Sequence, residues 1–170
     1  MFCFLPLLFI GCKVKKEGES AMSAAFAKAP QTTSGEYDLP DLRRAGEIIV
    51  ATLSGPETYY DYHGLPMGLQ YALAENFASS EGLKIRMEIA KDTTELLQMV
   101  SEGKADLLAL PVSDKLITQK GLVAAGARND KANVSWAVKS SAKELIAALN
   151  DWYTDNKAVS YTHLTLPTIC

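Results

Sequence analysis

Cysteine is scarce in this chain, with three in 170 residues, at Cys3, Cys12 and Cys170. A disulfide framework and a zinc site both need several ligands gathered by the fold, so neither is expected, and no other cofactor motif stands in their place. A basic surplus is also missing: the formal charge is -3 and the pI near 5.4, which leaves nothing to neutralise a phosphate backbone and excludes nucleic acid as a partner. The most apolar run, residues 1–10, is too short to span a bilayer. A phosphate-cradling loop is absent as well, because Gly64 to Gly68 contains Pro66 and is not followed by Lys-Ser or Lys-Thr. No internal repeat is present. With 48% hydrophobic and 22% charged residues, the composition is that of one globular domain with a single real core.

The N-terminal apolar run ends in Ile10-Gly11-Cys12 and then turns polar at Lys13, Lys15 and Lys16. This is the layout of a signal peptide followed by a lipidated cysteine, which assigns 1–12 to a lipoprotein signal peptide and Cys12 to the lipid. A plain cleaved signal fits the same run. Residues 13–36 are rich in Lys, Glu, Ser, Ala and Thr, with Pro30 and Gly35, and read as a flexible tether. The folded domain is assigned to 37–158. Residues 159–170, VSYTHLTLPTIC, resemble translated sequencing adapter. A non-native tail is expected there, the natural chain is expected to continue past Ala158, and His163 and Cys170 enter no site argument.

Within the domain, Asp38 to Arg44 reads as a short capped helix with Pro40 early and Gly46 ending it. Ile48 to Leu53 is an unbroken apolar run of strand length, as a parallel strand covered on both faces requires, and Gly55-Pro56 stops it. Leu69, Leu73 and Phe77 mark one stripe of a helix over 67–80, closed by Gly82. Leu83, Ile85, Met87 and Ile89 alternate with charges, which predicts a half-exposed strand. Asp92 with Glu95 predicts a capping box for a helix buried through Leu96, Leu97 and Val100 and ended by Gly103. Ala105 to Leu110 is a third strand, and the strand-helix alternation predicts an α/β layer with parallel crossovers. Leu122 to Ala125 and Val134 to Val138 are short strands about a turn-rich stretch at 126–130. Ser141 and Glu144 form a capping box for a last helix lined by Leu145, Leu149 and Trp152.

Three pieces of this pattern stand out together: the strand-loop-helix with Gly64 and Gly68 before Tyr71, Ala74 and Phe77; Gly103-Lys104-Ala105-Asp106-Leu107-Leu108, similar to a G-x-A-D-L strand; and Ser135-Trp136-Ala137-Val138 running into Leu145 to Trp152. They resemble the bacterial extracellular solute-binding proteins, family 3, and most nearly the version at the N-terminus of F-type membrane-bound lytic transglycosylases. The resemblance implies a periplasmic-binding-protein-like single lobe, a mainly parallel sheet flanked by helices. Only Val112 to Val134 separates the third strand from the returning Trp136 segment, so a second lobe is missing or vestigial. It implies a non-catalytic, lipid-anchored protein of the periplasm and cell envelope that binds a small polar solute (amino acid, sugar or muropeptide), with a membrane permease as partner. The regulatory N-terminal domain of a truncated transglycosylase and a one-lobed envelope scaffold are the alternatives. A Thr-x-x-x-x-Arg arrangement, which fixes an amino acid carboxylate in many relatives, is absent; Lys115 is the only cation near Pro111 to Asp114.

In an open parallel sheet, ligands sit beyond the carboxyl ends of the strands. The candidate binding residues are therefore Glu57, Tyr59, Tyr60 and Tyr62 after the first strand, Asp92 after the second, and Pro111 and Ser113 after the third. Aromatic faces can stack on a sugar or an apolar side chain while their hydroxyls hydrogen-bond. Ordinary packing accounts equally well for any single tyrosine, solvated loop charge for Glu57, and helix capping for Asp92 and Ser113. Ser54, Asp61 and His63 include the side-chain types of a hydrolase triad, but they crowd one short loop without an orienting elbow, so no catalytic residue is assigned.

Overall fold

The computed structural model describes residues 37–164, with side chains through Lys157. Cys12, the expected signal peptide and tether, and residues 165–170 lie outside the described residues. The first helix, α1 (Leu39–Ala45), forms as its caps predict: the Asp38 carboxylate accepts from the Leu39 N–H at 2.7 Å, Asp41 accepts from the Asp38 N–H, and Gly46 leaves in the left-handed region at φ 75°. There follow β1 (Glu47–Leu53), β2 (Tyr60–Tyr62), β3 (Leu65–Met67), α2 (Leu69–Ser80), β4 (Lys84–Ala90) and α3 (Thr93–Ser101). The chain continues through β5 (Leu107–Ser113), α4 (Asp114–Gln119), β6 (Leu122–Asn129), β7 (Val134–Lys139) and α5 (Lys143–Leu164).

Five strands form the main sheet in the order β4-β1-β5-β7-β6. The crossovers through α2 and α3 make β4, β1 and β5 parallel, and α4 carries the chain back so that β6 starts from the same edge as they do. Residues 130–133 then turn tightly, so β7 must reverse; it inserts between β5 and β6 and is antiparallel to both. The sheet is thus mixed, with four strands pointing one way, and the expected α/β single lobe is observed. Helices cover both faces. Leu42, Ile48, Val50, Phe77, Leu107, Trp136, Leu145 and Leu149 belong to the core under α1, α2 and α5. Ala51, Leu96, Leu97, Val100, Leu108 and Ile117 form the core under α3 and α4.

Several expectations are corrected. The third strand begins at Leu107 and runs through Pro111 to Ser113, because Asp106 does a different job: its N–H donates to the Ile49 carbonyl and its carboxylate accepts from the Ile49 N–H, both at 2.8 Å. Asp106 thereby clamps the start of β5 onto β1. Gly126 to Asn129 continue β6 rather than turning, since at Gly126 the strand passes beneath α5: a Cβ there would lie 3.3 Å from Leu149 Cδ2 and 3.4 Å from Trp136 Cε3. The buried stripe of α2 is Tyr71, Ala74, Phe77 and Ala78, with Leu73 only partly buried, and Ile89 at the end of edge strand β4 is exposed. Finally, α5 is capped from a distance rather than by Ser141. The Asp38 carboxylate accepts from the N–H groups of Glu144 and Leu145 at 2.8 and 2.9 Å, so one side chain caps both α1 and α5.

Candidate functional site

Because β4, β1 and β5 are adjacent and parallel, their carboxyl ends share one edge of the sheet. The segment after β1 does not wander from that edge. The Gly55 N–H donates to the Tyr59 carbonyl at 2.9 Å, and Tyr59 bridges Ser54 and Gly55, so the chain folds back onto the tip of its own strand. It then forms the β2–β3 ribbon, in place of the expected loop. His63 (φ 53°) and Gly64 (φ 80°) are the two positive-φ residues that a tight hairpin turn needs, and Asp61 Oδ1 accepts from the Gly64 N–H at 2.8 Å.

Cross-strand pairing of Tyr60 with Met67 and of Tyr62 with Leu65 puts these four side chains on one face of the ribbon, with Asp61 and Pro66 on the other. The apolar face is open: Tyr62 is 59% exposed, Leu65 62% and Met67 42%. Tyr60 is half-buried. Tyr59 packs edge-to-face on Tyr71 with ring centroids 5.7 Å apart. The Tyr71 hydroxyl donates to Glu75 at 2.7 Å, and burial followed by that carboxylate pushes its pKa up to about 12.

The base of the ribbon is held by backbone. The N–H groups of Gln70 and Tyr71, in the first turn of α2, donate to the carbonyls of Glu57 and Thr58, each at 3.1 Å. These two donors of the helix N-terminus are thus consumed within the protein. Gly68 makes this approach feasible: at φ 125° a Cβ would lie 2.3 Å from the Thr58 carbonyl oxygen.

The other candidates occupy the same edge without joining the tyrosines through any hydrogen bond found among the described residues. Glu57 is exposed at the foot of the ribbon. Asp92, exposed after β4, caps α3 by accepting from the Thr94 and Glu95 N–H groups at 2.8 and 2.9 Å, while Glu95 returns to the Lys91 N–H rather than to Asp92. Pro111 is exposed within β5, not beyond it. Ser113 precedes α4, yet its side chain makes no capping bond; Asp114 instead accepts from the Ser135 hydroxyl. Ser54, Asp61 and His63 form no relay, since Asp61 is bonded to Gly64 and the His63 ring meets Tyr62 edge-on at 4.4 Å. Among the described residues, no group of three or more His, Cys, Asp or Glu is placed to hold a metal ion, and no helix is long and apolar enough to cross a membrane.

One residue at this edge is not found by pattern alone. Gln70, half-buried in the first turn of α2, accepts from the indole N–H of the fully buried Trp136 at 2.7 Å, across 66 residues of chain.

No protein-family model matches the chain. Its fold is similar to that of the arginine-bound domain 1 of TmArgBP, with a TM-score of 0.58 and 15% identity over 68% of this chain and 97% of that one. A similar likeness, with a TM-score of 0.61 and 12% identity, covers 74% of this chain and 96% of the ancestral amino acid-binding protein AncCDT-1, a precursor of cyclohexadienyl dehydratase. A second AncCDT-1 structure, described as a cationic amino acid solute binding protein, gives 0.59 at 10% identity over 72% and 95%. At these identities the likeness is one of fold.

Proposed function

We propose that this chain is a non-catalytic, lipid-anchored protein of the cell envelope that holds a small polar solute on the open carboxyl edge of a single lobe, as in ABC-type uptake. One observation carries the reading: three adjacent parallel strands end on one edge, and over it the chain builds a ribbon whose aromatic face is left uncovered. Domain 1 of TmArgBP, a lobe of similar fold standing alone, is arginine-bound, which supports solute capture without a second jaw. Cys12 would bear the lipid, Tyr59, Tyr60 and Tyr62 would pack on the ligand, and Glu57, Asp92, Pro111 and Ser113 would line the shelf. A membrane permease would receive the solute. Titration calorimetry of the full chain against amino acids, sugars and muropeptides tests this: a Tyr59→Ala, Tyr60→Ala double variant should lose binding, and unchanged binding removes the site.

A second reading, the regulatory N-terminal domain of a peptidoglycan lytic transglycosylase, is favoured by the exposed Tyr62, Leu65 and Met67, an apolar face that a following domain could cover. Sequencing the natural gene across the Ala158 codon decides between them, since a transglycosylase domain should follow directly.

A further inference from the structure

Gln70 is a side chain at this edge whose amide orientation the protein itself fixes. An indole N–H can only donate, so the atom facing Trp136 Nε1 must be the Gln70 amide oxygen, and the amide cannot be flipped without setting two donors against each other. Trp136 is fully buried in the core, and close packing there fixes the direction of its indole N–H. The Gln70 Nε2 is therefore left with two N–H donors, and no hydrogen bond from it to any described residue is found. It is not sealed in the core either, because no unpartnered buried side-chain polar atom occurs among the described residues. Its backbone N–H is spent on Glu57, so the side chain is what this turn of α2 has left to offer a ligand.

We infer that Gln70 is a specificity-determining residue of the binding edge, a preset donor fork for an uncharged oxygen acceptor, and that the ligand class is a neutral saccharide rather than a carboxylate. This rests on the binding-edge reading above. Charge separates the two classes. The segments following β4, β1 and the end of β5 carry Glu57, Asp61, Asp92 and Asp114 against only Lys91 and Lys115, while Arg128, near the end of β6, lies over the Tyr153 ring. Two of the α2 amides that could hold an anion, those of Gln70 and Tyr71, are already bonded to Glu57 and Thr58. A carboxylate would meet net repulsion without a charged fork to receive it, whereas a sugar hydroxyl or N-acetyl carbonyl needs only neutral donors and an aromatic face. Tyr59 and the Tyr60–Tyr62 strand provide such faces on the same edge.

The test uses the full chain with two probes, N-acetylglucosamine and glycine. In a 15N-labelled sample the Gln70 side-chain amide pair, identified by its loss in Gln70→Glu, should shift with N-acetylglucosamine and stay still with glycine. Gln70→Glu keeps an oxygen for Trp136, so the Trp136 indole proton should remain slow to exchange, while affinity for the sugar falls about tenfold or more as the donors are lost. An amide pair that does not move with the sugar, a Gln70→Glu protein that binds it unchanged, or a response to glycine instead overturns the inference. Binding lost in Tyr60→Ala but retained in Gln70→Glu overturns the role of Gln70 alone and leaves the binding edge standing; a sugar that binds with the double tyrosine variant unaffected overturns the edge itself.

Discussion

The two edges of the sheet are built on opposite principles. At the amino edge of β1, polar side chains are spent on tertiary bonds: Asp38 joins α1 to α5, Asp106 locks β5 to β1, and Arg43 reaches Glu81 beyond α2. At the carboxyl edge the segment after β1 is held mainly by neighbouring backbone, and Tyr62, Leu65 and Met67 face outward. Side-chain bonds between distant elements are more numerous at one edge, and exposed apolar side chains gather at the other. A fold with this division can change the residues of its open edge at little cost to stability, which is where binding function is drawn from.

The sharpest way to break the contrast is Asp38→Ala. One cap contributes about 0.5–2 kcal/mol, and this carboxylate serves two helices, so urea unfolding should show a loss of up to about 4 kcal/mol. Gly68→Ala is the strongest perturbation of the other edge. Its Cβ would overlap the Thr58 carbonyl, at a cost of roughly 1–3 kcal/mol, and hydrogen exchange should quicken in β2 and β3 while β1 and β5 stay protected. Equal loss of protection in β5 would mean the ribbon is part of the global fold. Asp106→Ala strands the Ile49 N–H and should cost about 1–3 kcal/mol.

Asp106 also carries a pH signature. Burial raises its pKa above 3.8, against the smaller pull of the Ile49 N–H and Arg86. The native state then holds the proton more tightly than the unfolded chain, so the contribution is full below 3.8 and is lost as pH rises through the folded value. Urea midpoints measured from about pH 3 to 7 should show Asp106→Asn removing that decline. The smallest effect belongs to the open edge: Tyr62→Ser, at a site 59% exposed, should alter stability by no more than about 0.5 kcal/mol.

Local pattern made the early elements legible. The apolar run of β1, the Asp92 cap and the Gly103 stop each act within a few residues of where they are written, and they place β1, α2, β4 and α3. The ribbon reads as a loop in the sequence: Tyr60 and Tyr62 alternate before His63-Gly64 and Leu65 and Met67 after it, but Pro66 argues against a strand unless the strand is a free edge. What local pattern does not carry is the partner. Asp38 finds α5 106 and 107 residues away, Gln70 finds Trp136 66 residues away, and only the assembled sheet brings them together. The same applies to β7, whose reversal follows from a short turn but whose place between β5 and β6 does not.

That insertion bears on how the chain is made. As it leaves the ribosome, β4, β1 and β5 can already associate, whereas β6 is synthesised before β7, its sheet neighbour, and must wait with its hydrogen-bonding edge unmatched. The first helix waits longer still, because the second use of its aspartate arrives only with residues 144 and 145. Completion of the sheet therefore depends on the last strand and helix, and a chain that stopped short of them would leave β5 and β6 without the strand that joins them.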